Sequence, residues 1–275
     1  MKKQVLSKKK IGELIEPFDL NDEMVLLTPH PEMSCEKVKA FRGNLIANVS
    51  HDLRTPLQSI IGYSETLLLK TGNISTEEQK KYLEVILTSA TNLSCMIENF
   101  FEYSKLEISE IIPERNRFSI NKLTDELYLN YEFISKNRDI DFKINVEDKL
   151  PDIFGDYLLI YRVFQNLVDN AIKFTPPKGK ITINVAQQST SELKVQISDT
   201  GLGIPNDELD AIFNKFQTTK VISALNKEND GLGLGLALVK KILSLHCSKI
   251  FVTSEVGKGT IFTFYLPVEN PPPSI

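Results

Sequence analysis

The sequence predicts an α+β protein in which a hairpin of two long helices precedes an α/β sandwich. Three observations carry this prediction. Apolar residues recur at helical spacing through residues 36–103, strand and helix patterns mix from Phe118 onward, and a charged segment around Pro113 separates the two regions. We divide the chain into a leader (1–35), a helical domain (36–106), a linker (107–117), a sandwich domain (118–268) and a tail (269–275).

The composition is that of an ordinary globular protein, with 41% hydrophobic and 25% charged residues among 275. The net charge of -4 argues against nucleic acid as a partner, because phosphate backbones bind basic surfaces. No apolar run approaches the ~20 residues of a membrane span, and we recognise no signal peptide. We therefore expect a cytoplasmic protein without membrane association, and we interpret the first lysines as a solvated tail: Lys2, Lys3, Lys8, Lys9 and Lys10.

The first helix is predicted over residues 36–70, and Thr71-Gly-Asn73 ends it. Its apolar stripe leaves His51 on the opposite, polar side, which favours a reacting imidazole over a buried one. Pro56 removes a helical hydrogen bond and should bend the helix just after His51. The stripe consists of Val38, Phe41, Leu45, Val49, Leu53, Leu57 and Ile60.

A capping box, Ser75-Thr-Glu-Glu78, predicts the start of a second long helix. Its apolar residues again recur at helical spacing: Tyr82, Ile86, Leu93, Met96, Ile97, Phe100 and Tyr103. A hairpin of two such helices cannot bury both stripes alone. We therefore predict a homodimer whose two hairpins form a four-helix bundle.

The sandwich domain should contain three helices and five strands. Alternation of Leu193, Val195 and Ile197 is typical of a strand with one buried face, whereas Phe164, Val168 and Ala171 share a helical face. In chain order the predicted elements are a helix (121–135), a strand (140–146), a helix (156–174), strands (180–186 and 193–198), a helix (234–245) and strands (250–254 and 260–266).

Two polar groupings in this domain suit a metal-bound nucleotide. Asn166, Asn170 and Lys173 share a second face of their helix, and amide oxygens with an ammonium group suit Mg²⁺ and phosphates. Asp199 ends a strand beside Gly201 and Gly203, so its carboxylate could accept from an exocyclic amine while the backbone approaches a flat base. The simpler alternatives are a solvated helix face and a plain turn.

A third grouping, Gly231-Leu-Gly-Leu-Gly235, opens a helix whose free amides could cradle phosphate oxygens. It is not a dinucleotide-binding fingerprint, since no strand leads into it and the third glycine is misplaced. It is not a P-loop either, because no Gly-Lys-Ser or Gly-Lys-Thr ends it.

The segment Ser50-His-Asp-Leu-Arg-Thr-Pro-Leu57 resembles the phosphoacceptor box of the sensor histidine kinases of two-component systems. Later segments resemble that family's other boxes in the family's order: the N box (165–174), the G1 box (199–204), the F box (212–216), the G2 box (231–236) and the G3 box (254–260). The resemblance implies a Bergerat (GHKL) ATP-binding fold, ATP and Mg²⁺ as cofactors, and Asn170 and Asn166 as metal ligands. It assigns ATP contacts to Asn166, Asn170, Lys173, Asp199, Gly201, Gly203, Phe213, Phe216, Gly231, Gly233, Gly235, Leu236 and Thr260.

The resemblance also implies transfer of the ATP γ-phosphoryl group to His51, with Asp52 accepting from its other ring N–H, and then to an aspartate of a response regulator's receiver domain. Thr55 corresponds to the residue that positions water in relatives with phosphatase activity; alternatively its hydroxyl only satisfies the helix before Pro56. The resemblance also implies that the polar stretch of residues 217–230 is a mobile lid that closes over ATP. Unlike the lid of many relatives, it carries Lys220 and Lys227 but no arginine.

Two other functions remain in competition. ATPases of the gyrase, mismatch-repair and heat-shock group use a glutamate where Asn166 stands, and a dimeric scaffold could keep the fold without turnover. Absence of ATP binding would favour the scaffold. His30 and His246 receive no function, because His246-Cys247 lacks a second pair of metal ligands and three widely spaced cysteines suit neither disulfides nor zinc.

Overall fold

The computed structural model describes residues 53–70, 74–108, 112–215 and 233–268, with the backbone alone at 102 and 106–108. Every described residue belongs to one compact unit, which contains a helical region followed by a mixed sheet domain. The predicted α+β class is therefore confirmed.

The helical region contains α1, described over residues 53–69, and α2, Thr76–Ile108. Ser75 Oγ accepts from the Glu78 amide at 3.2 Å, so α2 begins where the capping box predicted. The Glu78 carboxylate accepts from Lys70 Nζ at 2.8 Å, which joins the ends of the two helices. Met96 and Tyr103 are buried, whereas Leu57 and Leu87 are 43% and 68% exposed.

The sheet domain contains two sheets. Strands β1 and β3 form an antiparallel pair, and the other five lie in the order β2-β4-β5-β7-β6, with only the β2–β4 pair parallel among them. The strands are β1 (Asn116–Phe118), β2 (Asp141–Val146), β3 (Ile153–Gly155), β4 (Lys180–Gln187), β5 (Glu192–Asp199), β6 (Ile250–Glu255) and β7 (Gly259–Pro267). The helices are α3 (Ile120–Asn137), α4 (Tyr157–Phe174) and α5 (Gly235–Leu245).

The core lies between one face of the larger sheet and the helices. Ile183, Val195 and Phe264 are fully buried or nearly so, because alternate residues of β4, β5 and β7 point toward the helices. The Phe164 and Phe264 rings meet edge to face with centroids 5.6 Å apart, which ties α4 to the sheet. Helix α4 is thus packed directly on the sheet whose strand β5 ends at Asp199.

The predicted helices and strands of the sheet domain are confirmed to within two residues at each end. Strands β1 and β3 were not predicted. Each has three residues, which is too short for a period-2 pattern to stand out from loop sequence.

Candidate nucleotide-binding site

Asn166 lies at the junction of α4 and α5. It is 8% exposed, and its Nδ2 donates to the Arg162 carbonyl at 2.9 Å, which leaves Oδ1 as the free end of the amide. A Cβ built on Gly235 would lie 2.8 Å from that oxygen. The Asn166 oxygen therefore faces the first turn of α5.

Asn170 and Lys173 follow Asn166 along α4 and are half-buried. They lie four and seven residues after it, so the three predicted side chains do share one face of the helix. Lys173 Nζ lies 5.0 Å from the centroid of the Phe174 ring. This face has the amide oxygens and the ammonium group that the sequence predicted.

The N-terminus of α5 adds backbone donors. Its N-cap residue, Leu234, makes no side-chain hydrogen bond, and Gly233 before it has φ 61°. The first-turn amides of a helix have no acceptor within the helix, and they attract anions. Gly235 and Leu236 are half-buried in this first turn, so the structure brings them to the same junction as Asn166.

Asp199 ends β5, and its Oδ1 accepts from the Gly201 amide at 2.8 Å. Burial raises the pKa of the Asp199 carboxyl, while hydrogen bonds from the Gly201 and Thr260 backbones act in the opposite direction. A half-buried carboxylate at a strand end is available to a donor group on a ligand.

Glycines allow the chain to pack tightly around Asp199. A Cβ at Gly201 would lie 2.7 Å from Asp199 Oδ1 and from the Phe174 carbonyl oxygen. Gly259 has φ +119°, and a Cβ there would lie 1.9 Å from the Asp199 carbonyl oxygen. A Cβ at Gly203, where φ is +70°, would lie 2.1 Å from the Glu255 carbonyl oxygen.

Ser254, to which the sequence assigned no role of its own, holds the loop after Asp199. Its Oγ accepts from the Ile204 amide at 2.8 Å and lies 2.8 Å from the Gly259 carbonyl oxygen, to which it donates. The buried Thr260 hydroxyl lies 2.9 Å from Ser254 Oγ. These bonds fix the loop that carries Gly201 and Gly203 to the β6–β7 hairpin.

Phe213 packs between β7 and α5: its ring centroid lies 6.3 Å from that of Phe262 and 6.0 Å from Lys240 Nζ. Phe216 and Gly231 lie outside the described residues, as does the predicted lid with Lys220 and Lys227.

A concave region of about 410 Å³ opens next to Asp199 and Thr260. Its other lining residues include Thr182, Ser198 and Ile261 on the outer face of the sheet, and neither Asn166 nor Gly235 belongs to it. We therefore regard the face of α4 from Asn166 to Phe174 as the candidate site, with the first turn of α5 next to Asn166 and with Asp199 and Gly201 next to Phe174.

His51 and Asp52 lie outside the described residues, and so does the bend predicted after His51. Thr55 is described: it is exposed in the first described turn of α1. Of the predicted catalytic residues, Thr55 alone therefore has a described position.

Helix α2 contacts α4 through Arg162, another residue that the sequence did not single out. Arg162 Nη2 donates to Asn99 Oδ1 at 2.9 Å, and Lys215 Nζ lies 5.0 Å from the centroid of the buried Tyr103 ring. Arg162 precedes Asn166 by one turn of α4. The helical region thus contacts α4 next to the candidate site.

Within the described ranges, no group of three or more His, Cys, Asp and Glu side chains could hold a metal ion. The described helices also include none that is both long and apolar enough to cross a membrane.

Two family models match the chain: "His Kinase A (phospho-acceptor) domain" over residues 41–108 and "Histidine kinase-, DNA gyrase B-, and HSP90-like ATPase" over residues 155–270. The circadian input-output histidine kinase CikA of Synechococcus elongatus is 32% identical over 86% of this chain and 31% of its own length. Signal transduction histidine-protein kinase BarA of Escherichia coli K12 is 31% identical over 95% of this chain and 28% of its own.

A crystal structure of histidine kinase ThkA in complex with response regulator protein TrrA matches with a TM-score of 0.67. The identity is 26%, over 90% of this chain and 66% of that one. The chain spans about a third of the length of CikA and of BarA. With both family models in the order that the motifs predicted, the chain belongs to the sensor histidine kinases of the GHKL superfamily.

Proposed function

We propose that this chain is a protein histidine kinase that transfers the γ-phosphoryl group of ATP to His51 and passes it to a response regulator. The observation that carries the proposal is the orientation of Asn166, whose oxygen faces the first turn of α5 while its amino group is bonded to Arg162. An amide oxygen next to free helix amides suits a metal-bound triphosphate.

Asp199 is proposed to bind adenine. Its Oδ1 already accepts from Gly201, and the remaining lone pairs of the carboxylate can accept from the exocyclic amine of the base. Gly201 and Gly203 would let the backbone approach the base, with Phe213 and Thr260 nearby. Guanine carries a carbonyl oxygen in place of that amine, so the site should prefer ATP to GTP.

Asn166 and Asn170 are proposed to hold Mg²⁺, and Lys173 to contact the same phosphates. The residues fit this ion, because the bond to Arg162 turns the Asn166 oxygen away from the body of α4. A bound Mg²⁺ would offset the negative charge on the phosphates. Gly233, Gly235 and Leu236 would place their backbone amides on the phosphate oxygens.

In the proposed reaction the bond between the γ-phosphorus and the bridging oxygen of ATP breaks, and a bond to the outer ring nitrogen of His51 forms. ADP leaves with the bridging oxygen. Asp52 would accept from the other ring N–H, which keeps the attacking nitrogen unprotonated. The protein's contribution is chiefly to position the two reactants.

The proposed partner is the receiver domain of a response regulator, whose aspartate would take the phosphoryl group from His51. ThkA, a relative of similar fold, was solved in complex with response regulator protein TrrA. We propose the exposed surface of α1 around Thr55 as the docking region of this chain. Because the reaction consumes ATP, we propose that it takes place in the cytoplasm.

A second copy of the chain is proposed as the other partner. Apolar side chains of α1 and α2 remain exposed in the single chain, and a four-helix bundle would cover them. They include Leu57 (43% exposed), Leu83 (51%), Leu87 (68%) and Phe101 (50%).

The proposal is tested by incubating the purified chain with Mg²⁺ and γ-labelled ATP beside the His51→Gln variant. We expect label that survives alkali but not acid, and none in the variant. Nucleotide binding without any label would favour a scaffold or a phosphatase. Hydrolysis of ATP without labelling of the protein, at the same rate in His51→Gln, would instead indicate an ATPase of the gyrase and heat-shock type.

A further inference from the structure

His246 is a buried histidine at the C-terminal end of α5. It is 2% exposed, and its Nδ1 lies 2.9 Å from the Ile242 carbonyl oxygen. A carbonyl only accepts, so Nδ1 carries the proton and donates it. The other ring nitrogen, Nε2, is then free to accept, and the amide of Asp156 donates to it at 3.0 Å. The imidazole is therefore neutral, with both nitrogens bonded.

Asp156, the hydrogen-bond partner of His246, lies at the start of α4. Asp156 is the N-cap of α4, and its Oδ1 accepts from the Leu159 amide at 3.1 Å. Its Oδ2 accepts from the Glu114 amide at 3.0 Å, and Arg115 Nη2 donates to the Leu245 carbonyl at 2.7 Å. The start of α4, the end of α5 and the chain ahead of β1 thus meet around one imidazole.

The packing at this point leaves little room for displacement. A Cβ at Gly155 would lie 3.1 Å from His246 Cδ2, which is closer than ordinary van der Waals contact. The imidazole is therefore enclosed by the backbone before α4 as well as bonded to it.

Helices α4 and α5 run antiparallel, and they meet again at the candidate nucleotide site. Going from Asp156 to Asn166 covers about 15 Å of α4, and going from His246 to Gly235 covers about 16 Å of α5, at 1.5 Å per residue. Because these two lengths are nearly equal, a single alignment of α5 along α4 satisfies both the His246–Asp156 bond and the Asn166–Gly235 contact. A slide of α5 that broke the first would displace the second.

We propose that His246 is a positioning residue for nucleotide binding: its neutral imidazole fixes the register of α5 against α4, and so the distance between Asn166 and the first-turn amides of α5. This inference rests on the proposed function in taking ATP as the ligand of that site. The imidazole itself lies at the start of α4 and the end of α5, away from the site, and touches no part of it.

Protonation should release this contact. A charged imidazole has two donors, so Nε2 could no longer accept from the Asp156 amide. Burial, the largest influence, lowers the pKa of His246, and the Arg115 guanidinium lowers it further, while the Ile242 carbonyl and the Asp156 carboxylate oppose them. The neutral form is accordingly favoured at neutral pH, and the contact is lost as the pH falls below the folded pKa.

The test compares the full chain with His246→Phe, which fills the space without polar atoms, and His246→Gln, which keeps an acceptor near the position of Nε2. ATP affinity is measured by calorimetry with Mg²⁺, at a temperature where circular dichroism shows each protein fully folded. We expect affinity about tenfold weaker in the phenylalanine variant and largely restored in the glutamine variant. Ser244→Ala, on the exposed side of α5, is the matched control and should bind as the unmodified chain does.

A second measurement avoids any dependence on how the phenylalanine variant folds. The ratio of ATP dissociation constants, unmodified chain over His246→Gln, is followed from about pH 8 to about pH 5, since protonation of the nucleotide cancels in the ratio. The ratio should rise as the pH falls. A ratio that stays flat through the pH range in which NMR shows the His246 ring becoming charged, or a folded His246→Phe that binds ATP normally, would reduce His246 to a packing residue. No ATP binding by the unmodified chain would instead overturn the proposed function.

Discussion

The oxygen of Asn166 and the backbone of Gly235 are so close that no side chain fits between them: a Cβ on Gly235 would lie 2.8 Å from Oδ1. Gly235→Ala should therefore displace the amide or the first turn of α5. We expect ATP binding to weaken about tenfold, or ~1.4 kcal/mol, by calorimetry.

Gly62→Ala is the matched control for this change, because a Cβ at Gly62 meets no atom within 4 Å. It should leave ATP affinity unchanged and stabilise α1 by about 0.5–1 kcal/mol. Equal affinities in the two variants would mean that the approach of α5 to Asn166 does not matter for the nucleotide.

Alanine substitutions at Gly259 and Gly257 distinguish the cost of a steric clash from the cost of backbone strain. Both have positive φ, but a Cβ at Gly259 would overlap the Asp199 carbonyl oxygen at 1.9 Å, whereas one at Gly257 meets nothing within 4 Å. Gly259→Ala should lower the free energy of unfolding by about 3 kcal/mol and Gly257→Ala by about 1 kcal/mol, measured by urea denaturation. Similar losses would show that strain alone accounts for both.

Asp199 should oppose folding while it supports binding. Because burial raises its pKa, the carboxyl is harder to ionise in the folded chain than in the unfolded chain, and above both pKa values ionisation lowers stability. Asp199→Asn should therefore raise the melting temperature at pH 7 without nucleotide. The difference should vanish below about pH 3.9, where the carboxyl is protonated even in the unfolded chain.

The same variant should lose most of the stabilisation that Mg²⁺ and ATP give, since an amide accepts less strongly from the base than a carboxylate. Scanning calorimetry with and without nucleotide measures both effects. A lower melting temperature for the nucleotide-free variant at pH 7 would show that the bonds from Gly201 and Thr260 outweigh the cost of burial.

Thr55 is exposed on α1, one turn beyond the position of His51, where a hydroxyl could hold a water against a phosphorylated receiver. Thr55→Ala should abolish dephosphorylation of the receiver but leave labelling of His51 within about twofold. Glu65→Ala, an exposed change farther along α1, should alter neither rate. If both activities fell together in Thr55→Ala, the residue would serve the helix rather than a phosphatase reaction.

The sequence predicted those parts of the molecule whose pattern is local. Strands β4 and β5 alternate over eight residues each, and Asp199 with its glycines forms one continuous segment. The sequence did not predict the roles of three other residues, Arg162, Ser254 and His246, because their partners are far away in sequence. The separations are 63 residues to Asn99, 50 to Ile204 and 90 to Asp156, respectively. A periodicity reports which face of an element is buried, but not which distant backbone group a polar side chain will meet.

The hydrogen bond between the Glu114 amide and Asp156 also limits the distance between the sheet domain and the end of α2. Helix α2 ends at Ile108, and the chain is already attached to the sheet domain at Glu114. Six residue steps can span roughly 20 Å even when fully extended. A connection of this length keeps the sheet domain close to the helical hairpin, so ATP held at the α4–α5 junction stays at a high effective concentration near that hairpin.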